Sequence, residues 1–383
     1  MASGAEVLAH FEQVMQQRFL PSGRVRWLPM TDYQAGPDGT HEVTSLVGGQ
    51  VRTVQVRRKL VDGTHARTEV PATHAPRYAV SAGVACLPLN DLACLDRPYA
   101  SYTVVGSGKT GIDACLWLLD HGVAPSRIRW IMPRDAWFLD RANFQPGLEN
   151  FERNMGASLA QFAAIIEAAS PAELFARLEA KGALLRLDSG VEPTTYRCGT
   201  ISRDELALLR TISDVVRLGR LRAIEPARIV LDRGTVTADP DTLYVDCSAS
   251  AIQSLPGLPV FDRARINLFM VRFCQPLFSA ALIAFVESHV EDDAARNALC
   301  AVVPSPETPS DWLRMWAVTL ANTGRWRQHP ALNAWLARCR LNGPAVMARG
   351  VRPDDAPRMA LLKETGVQAS VAAAKLPALM AML

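Results

Sequence analysis

One stretch of the sequence decides the predicted fold: Ser101-Tyr-Thr-Val-Val-Gly-Ser-Gly-Lys-Thr-Gly-Ile-Asp-Ala114. It places a Gly-x-Gly-x-x-Gly pattern, made by Gly106, Gly108 and Gly111, between an apolar strand and an amphipathic helix. In such a turn the first glycine permits the tight bend, the second lets a pyrophosphate approach the backbone, and the third lets helix and strand pack closely. Because the first N–H groups of the helix face the phosphates, the pattern predicts a dinucleotide-binding site.

Two other interpretations of this turn are possible. A glycine-rich turn between strand and helix can occur without any ligand. The letters Gly-Ser-Gly-Lys-Thr also imitate the end of a phosphate-binding P-loop, but that motif is Gly-x-x-x-x-Gly-Lys-[Ser/Thr], and the position of its first glycine is Thr103 here. The P-loop is therefore excluded, and Lys109 is predicted to lie beside the dinucleotide phosphates. The predicted cofactor-binding residues of the turn are Gly106, Ser107, Gly108, Lys109, Thr110 and Gly111.

The end of the second strand decides which dinucleotide is preferred. The sequence there is Ile128-Arg-Trp-Ile-Met-Pro-Arg134-Asp135. An acid at this point would hydrogen-bond a ribose 2′-hydroxyl, whereas a base would accept a 2′-phosphate. The guanidinium of Arg134 suits a phosphate, so the sequence predicts NADP(H). The alternative is that Arg134 only pairs with a surface acid, since Asp135 follows immediately.

The rest of the chain is predicted from its hydrophobic periodicity and its turn residues. Before the glycine-rich turn we expect a helix over residues 6–19, an antiparallel meander over 25–30, 41–47 and 51–60, and an irregular crossover over 61–98 that contains four prolines. After the turn we expect helices over 151–181, a helix over 203–218, short strands over 221–224, 228–231 and 235–237, and an apolar strand over 242–247.

Composition excludes several classes of partner. Lysine and arginine number 41 against 38 acids, and this net charge of +3 is too small and too scattered to predict nucleic-acid binding. No leader and no apolar run of membrane-spanning length is apparent, so we expect a cytoplasmic protein with no membrane partner. The eight cysteines are far apart and form no CxxC or CxxH pair, so we expect buried, reduced thiols and no metal site.

Other catalytic patterns are missing from the sequence. None of the six tyrosines has a lysine four residues later, as a short-chain dehydrogenase requires, and no His-Glu-x-x-His is present. No closely spaced cysteine pair of the disulfide-reductase kind exists either. Trp312, Trp316 and Trp326 could line a substrate cavity, but packing in a core is the simpler expectation. Catalytic residues are therefore not predicted.

The order of these features resembles that of the two-dinucleotide-binding-domain flavoproteins, in particular their flavin-containing monooxygenase-like branch. The glycine-rich turn corresponds to the family's second Rossmann motif. The stretch 59–64, Lys-Leu-Val-Asp-Gly-Thr, resembles a strand that ends in a small-residue turn, and 243–249, Leu-Tyr-Val-Asp-Cys-Ser-Ala, resembles the return strand into the flavin domain. His74-Ala-Pro-Arg-Tyr78 matches the second half of the family's linker motif, although Thr68 and Val70 replace its Phe and Gly.

This resemblance implies an α/β fold with a Rossmann-type NAD(P)-binding domain and parts of a second, FAD-type domain. The implied segments are 1–97, a partial FAD-type domain, 98–245, the NADP-binding domain, and 246–383, a return to the flavin-type domain followed by a helical C-terminal region. The resemblance also implies a small-molecule substrate and hydride transfer from NADPH to FAD, as in a monooxygenase-like oxidoreductase.

The beginning of the sequence departs from this family. Such flavoproteins open with a strand, a Gly-x-Gly-x-x-Gly turn and a helix that bind the FAD pyrophosphate, whereas this sequence enters a helix directly. FAD binding by this chain is therefore doubtful, and an incomplete domain should expose apolar surface. The alternatives are a catalytically silent NAD(P)-binding or interaction protein, or a gene fragment of the enzyme. The sequence does not predict the oligomeric state.

Overall fold

The structure is a computed structural model that describes residues 3–36, 39–64, 68–249 and 257–383. Its strands are β1 Thr31–Ala35, β2 His41–Ser45, β3 Val51–Thr53, β4 Leu60–Asp62, β5 Ala79–Val80, β6 Ala85–Pro88, β7 Ser101–Val105, β8 Ile128–Ile131, β9 Ala136–Asp140, β10 Leu184–Leu185, β11 Thr195–Ile201, β12 Asp214–Val216, β13 Leu221–Glu225, β14 Arg228–Leu231, β15 Gly234–Thr237, β16 Thr242–Asp246, β17 Phe261–Asp262 and β18 Arg265–Asn267. Its α-helices are α1 Gly4–Val14, α2 Lys109–Asp120, α3 Phe151–Glu167, α4 Pro171–Ala180, α5 Arg203–Leu209, α6 Pro276–His289, α7 Asp293–Leu299, α8 Pro309–Gln328, α9 Pro330–Arg338, α10 Gly343–Gly350 and α11 Ala356–Met380.

The chain divides into two units, Met1–Leu60 and Val61–Leu383. In the first, a capping box between Ser3 and Glu6 starts α1, and β1, β2 and β3 pair antiparallel as the predicted meander requires. The first strand, β1, begins at Thr31, so it comes after the predicted span 25–30. The physical reason is that Pro29 has no N–H for a ladder and Met30 adopts a left-handed φ of 51°.

Apolar side chains of the first unit are widely exposed. No residue of α1 is buried, and the exposed fractions of Leu8 and Phe11 are 69% and 62%. Val47, in the turn between β2 and β3, is 80% exposed. Leu8 and Phe11 lie three residues apart on α1 and therefore share one exposed apolar face of this helix.

A five-stranded parallel sheet organises the second unit. Its strand order is β12-β8-β7-β16-β6, and every neighbouring pair is parallel. The predicted strand before the glycine-rich turn is therefore confirmed, as is the α/β class with a parallel sheet. The predicted short strands after residue 220 are also confirmed: β13, β14 and β15 form an antiparallel meander that leads the chain from β12 to β16.

Both faces of the parallel sheet are covered. Successive side chains of a strand point to opposite faces, so one strand contributes to two cores. Tyr102 and Val104 of β7 pack in one core with Ile112 and Leu118 of α2. Val105 packs in a second core with Ile224 and other residues of the antiparallel meander. The sheet therefore lies between α2 and the meander, and among the described residues its strand ends are the places that remain for a ligand.

Both edge strands of this sheet differ from the prediction. The sequence pattern predicts one helix over 203–218, but α5 ends at Leu209 and Asp214–Val216 pairs with β8 as a strand. The β-branched pair Val215 and Val216 favours this extended state. The sequence pattern also predicts an irregular span 61–98, yet this span supplies β6, whose Pro88 is tolerated because it ends an edge strand.

A second, smaller sheet has the order β10-β9-β11. Helices α3, α4, α8 and α11 share one core with it, and this core contains Trp312. Another core joins α6 to α8 and α9 and contains Trp326. The expectation that these two tryptophans pack in a core is therefore confirmed, while Trp316 is half-buried. Within the described ranges, no helix has both the length and the apolar content needed to cross a membrane.

Candidate functional site

The glycine-rich turn lies at the carboxyl end of β7, in the middle of the parallel sheet. Gly106 is buried and has a φ of 124°, which favours glycine. A Cβ on Gly106 would lie 2.5 Å from the carbonyl oxygen of Cys247, and a Cβ on Gly111 would overlap the carbonyl oxygen of Gly106. The buried indole N–H of Trp130 donates to that same oxygen at 2.8 Å. Protein packing alone therefore explains two of the three glycines.

Gly108 is different, because no protein atom explains it. It is exposed, its φ is −79°, and a Cβ there would meet nothing within 4 Å. Gly108 is the N-cap of α2, and no side chain caps that helix end. The first intrahelical bond runs from Ile112 N–H to the Gly108 carbonyl, which leaves the N–H groups of residues 109–111 available. The open space over Gly108 thus faces the positive end of a helix.

The polar residues of the turn lie around this opening. Ser107, Lys109 and Thr110 are all half-buried. The ammonium group of Lys109 forms an ion pair with the carboxylate of Asp113, one helical turn later. This is a partly exposed pair of the kind that contributes little to stability, so Lys109 can turn towards a phosphate at small cost.

Arg134 follows the neighbouring strand β8 and is held by an acid from another part of the chain. Its Nη2 donates to Glu307 Oε1 at 3.1 Å, and Nη2 of Arg197 donates to the same oxygen at 2.6 Å. Hydrogen bonds from these two guanidinium groups lower the pKa of Glu307. Arg134 therefore pairs with an acid, but its partner is Glu307 and not the adjacent Asp135.

Asp135 belongs to a separate ion pair. Its carboxylate is 6% exposed and accepts two hydrogen bonds from Arg217, at 2.9 and 3.0 Å. Arg217 directly follows β12, so the pair links the ends of two adjacent strands. This bidentate pair fixes the backbone next to Arg134 while leaving the Arg134 side chain to its own partner.

Sequence reasoning misses Arg197, Arg217 and Glu307 at this edge. Glu307 is 173 residues from Arg134, and no local pattern connects the two. Arg217 could be found only if Asp214–Val216 were recognised as a strand, because the residue after a parallel strand lies at the carboxyl edge of the sheet.

The loop after β16 completes the edge. Asp246 is 2% exposed and accepts hydrogen bonds from the backbone N–H and the hydroxyl of Ser248, at 3.0 and 2.6 Å. The N–H of Cys247 donates to the Val105 carbonyl at 2.8 Å. Burial, together with Cys86 and Asp246, raises the pKa of the Tyr78 phenol far above its usual range. This loop supplies the carbonyl against which Gly106 packs.

The chain is similar in sequence to uncharacterized proteins of two Mycobacterium species. No protein-family model matches the chain. It is 45% identical over 348 residues to the uncharacterized protein Rv2000 of Mycobacterium tuberculosis strain H37Rv and, equally, to the uncharacterized protein Mb2023 of Mycobacterium bovis strain AF2122/97. The matched region is 89% of this chain and 63% of each relative, so the chain spans less than two thirds of their length.

Two solved structures are similar in part, each with a TM-score of 0.30. One is the bacillithiol disulfide reductase Bdr of Bacillus cereus, which is 12% identical, with 64% of this chain and 56% of that chain covered. The other is DfoA bound to FAD, a cadaverine monooxygenase of Erwinia amylovora, which is 14% identical, with 75% and 71% covered. Likeness at this level assigns no activity to the chain.

The cysteines correct the sequence-based expectation of eight buried, reduced thiols. Cys198 in β11 and Cys274 before α6 form a disulfide across 76 residues. Of the other six, Cys94 is exposed and Cys86 and Cys339 are half-buried. The expectation fails because it uses spacing along the chain, and two cysteines far apart in sequence can meet when a strand and a loop pack together.

This disulfide gives a direct prediction. Denatured, unreduced protein should show six thiols that react with Ellman's reagent, and reduced protein should show eight. Cys274→Ser should show seven in either state, because Cys198 is then released. Eight reactive thiols in the unreduced protein, prepared without any reductant, would contradict the pairing.

Proposed function

We propose that the glycine-rich turn binds the pyrophosphate of NADP(H), and that the protein acts as an NAD(P)H-dependent flavoprotein oxidoreductase of monooxygenase-like type on a small-molecule substrate. One observation carries the proposal. The uncapped N-terminus of α2 faces open space over Gly108 at the carboxyl edge of a parallel sheet. Open α/β sheets bind their ligands at this edge, and helix N-termini there bind phosphates.

Each residue of the turn has a separate part in the proposed binding. Gly106 and Gly111 hold the turn in shape, since either Cβ would collide with backbone. Gly108 lets the pyrophosphate come close to the backbone, where the N–H groups of residues 109–111 donate to its oxygens. Ser107 and Thr110 offer hydroxyl donors, and Lys109 offers a positive charge beside the phosphates.

Arg134 is proposed to bind the 2′-phosphate that distinguishes NADP(H) from NAD(H). Its present partner is consistent with this use, because a carboxylate oxygen held by two guanidinium groups occupies the place that a phosphate oxygen would take. A 2′-phosphate must therefore displace Glu307 from Arg134, and once it is displaced Arg197 becomes a second cation near the phosphate.

The flavin would accept the hydride from the nicotinamide and carry out the substrate chemistry. Among the described residues, the turn at 106–111 is the one we propose for a dinucleotide pyrophosphate, and we assign it to NADP(H). We therefore assign no residue of this chain to FAD. The absorbance spectrum of the purified protein tests the flavin part separately: a flavin band, or its appearance after FAD is added, supports the enzyme, and a protein that stays colourless supports a silent nucleotide-binding role.

Arg134→Ala tests the cofactor preference. Loss of the charge-assisted contacts should cost about 1.5–3 kcal/mol of NADPH affinity and leave NADH affinity nearly unchanged. The measurement is a titration of both cofactors against wild type and variant at fixed salt, which gives four dissociation constants. Arg222→Ala is the matched control, because Arg222 is an exposed arginine whose partner, Asp232, lies in the meander. Equal weakening for both cofactors would make Arg134 a general electrostatic residue.

Glu307→Gln should have the opposite effect. Removing the carboxylate charge weakens the contact that competes for Arg134, so NADPH should bind several-fold more tightly, by less than the about 1.5–3 kcal/mol of one charge-assisted contact. NADH affinity should not change, because NADH has no 2′-phosphate. Unchanged NADPH affinity would mean that Glu307 does not compete for the site, and weaker NADPH binding would mean that it helps to build it.

A further inference from the structure

The C-terminal helices carry a concentration of positive charge that the net charge of the whole chain conceals. Between Asp311 and Asp354 the sequence contains seven arginines and no Asp or Glu, whereas the net charge of all 383 residues is only +3. The seven are Arg314, Arg325, Arg327, Arg338, Arg340, Arg349 and Arg352. Two of them, Arg314 and Arg352, pair with the acids that bound the stretch, at 2.9 and 2.8 Å.

The other five arginines form what we call the arginine patch: Arg325, Arg327, Arg338, Arg340 and Arg349. All five side chains are exposed, and none forms an ion pair with any residue that the structure describes. The guanidinium of Arg349 on α10 lies next to Arg338 on α9, because it donates to the carbonyl of Ala337.

Several acids on the neighbouring elements already pair with arginines outside the patch. Arg296 on α7 pairs with Glu287 at 3.2 Å and with Asp293 at 2.7 Å. Arg358 on α11 pairs with Glu152 on α3 at 2.6 Å. The charge of the arginine patch is therefore not offset by these acids, and an anionic partner would be attracted to it.

Two exposed apolar side chains lie close to arginines of the patch. Leu341, next to Arg340, is 46% exposed, and Val346 is 41% exposed on the same face of α10 as Arg349, three residues later. A surface that combines arginines with exposed aliphatic side chains suits the headgroup region of an anionic bilayer, where the cations meet phosphates and the apolar groups enter the interface.

Single-stranded nucleic acid fits this surface less well. Binding to bases uses exposed aromatic side chains, but the aromatic residues between 312 and 353 are four tryptophans, each buried or half-buried. Trp335, the one within α9, already stacks on Phe285 with ring centroids 5.1 Å apart. The apolar side chains that are exposed beside the arginines are aliphatic.

We propose that the arginine patch, with Leu341 and Val346, is a docking surface for the anionic phospholipid surface of a membrane. The proposal is independent of the nucleotide site. It departs from the sequence-based expectation of no membrane partner, which rests on the absence of a leader and of an apolar run of membrane-spanning length. The protein would bind at the lipid surface through α9, α10 and the end of α8.

Sedimentation of the full chain with sucrose-loaded vesicles tests this proposal. The wild type should bind vesicles that contain phosphatidylglycerol and phosphatidylcholine, and should not bind phosphatidylcholine alone. Each arginine near an anionic surface strengthens binding about fivefold, so the triple variant R327Q/R338Q/R340Q should bind on the order of a hundredfold more weakly. The double variant L341S/V346S should also weaken binding, because it removes the apolar contacts.

The control is R97Q/R222Q/R228Q, which removes the same charge from exposed, ion-paired arginines elsewhere. It should keep most of the vesicle binding, and thermal unfolding should show that both triple variants are folded. No binding to anionic vesicles, or equal losses in the two triple variants, would overturn the proposal. Tighter binding to a DNA or RNA duplex than to vesicles, lost in R327Q/R338Q/R340Q, would overturn the choice of lipid as the partner.

Discussion

Gly111→Ala should destabilise the protein, although a glycine-to-alanine change inside a helix normally stabilises it. The usual gain is about 0.5–1 kcal/mol, because alanine loses less backbone entropy on folding. At Gly111 the added Cβ would overlap the carbonyl oxygen of Gly106, so the backbone of the turn or of α2 must move. Overpacking of this kind costs about 1–3 kcal/mol or more, which exceeds the gain. The midpoint of thermal unfolding should therefore fall.

Gly156→Ala is the matched control for this change. Gly156 lies inside α3 and is exposed, and a Cβ added to it would have nothing within 4 Å. Its substitution should raise the unfolding midpoint by the ordinary helix gain. If Gly111→Ala also raised the midpoint of thermal unfolding, that result would contradict the close packing of α2 against the turn.

Gly108→Val should show the reverse pattern, with a large loss of binding and a small change in stability. The side chain would enter the open space over the turn and obstruct the pyrophosphate of either cofactor. Losing two charge-assisted contacts, each about 1.5–3 kcal/mol, corresponds to a weakening of about a hundredfold or more for both NADPH and NADH. Stability should fall by at most about 1 kcal/mol, because valine is a poorer N-cap than glycine.

These effects are measured by the same cofactor titrations and by thermal unfolding. The control is Gly156→Val, since Gly156 lies in α3, away from the sheet edge. Gly122→Val is not used, because Gly122 has a left-handed φ of 80° and valine there would be strained. Cofactor binding should be unaffected in Gly156→Val. Unchanged binding in a folded Gly108→Val protein would remove the pyrophosphate from this turn.

The centre of the parallel sheet can be predicted from the sequence, but its edges cannot. The strand β7, the turn and α2 are adjacent in sequence, and the glycine spacing and apolar pattern specify them locally. The missed strands, β6 and β12, are the two edges of the sheet and have four and three residues. Strands this short have no resolvable periodicity, and their extended state comes from pairing with neighbours.

The candidate site, too, is predicted from the sequence only in its local parts. The sequence predicts separate parts for the three glycines, and two of those parts agree with the packing of Gly106 and Gly111. It also predicts Arg134 as a cation at the second strand, but the partner Glu307 comes from the segment before α8. Long-range ion pairs of this kind depend on tertiary packing, so a single sequence does not predict them.

The most direct test of the central claim is an NMR titration of the isotopically labelled protein with NADPH. Binding of the pyrophosphate at the N-terminus of α2 predicts that the largest amide shifts occur at residues 107–111, with a further shift at Arg134 that NADH does not produce. Shifts that saturate with NADPH and centre on this turn would support the account. No shift in the turn at saturating NADPH, or shifts confined to another part of the chain, would contradict it.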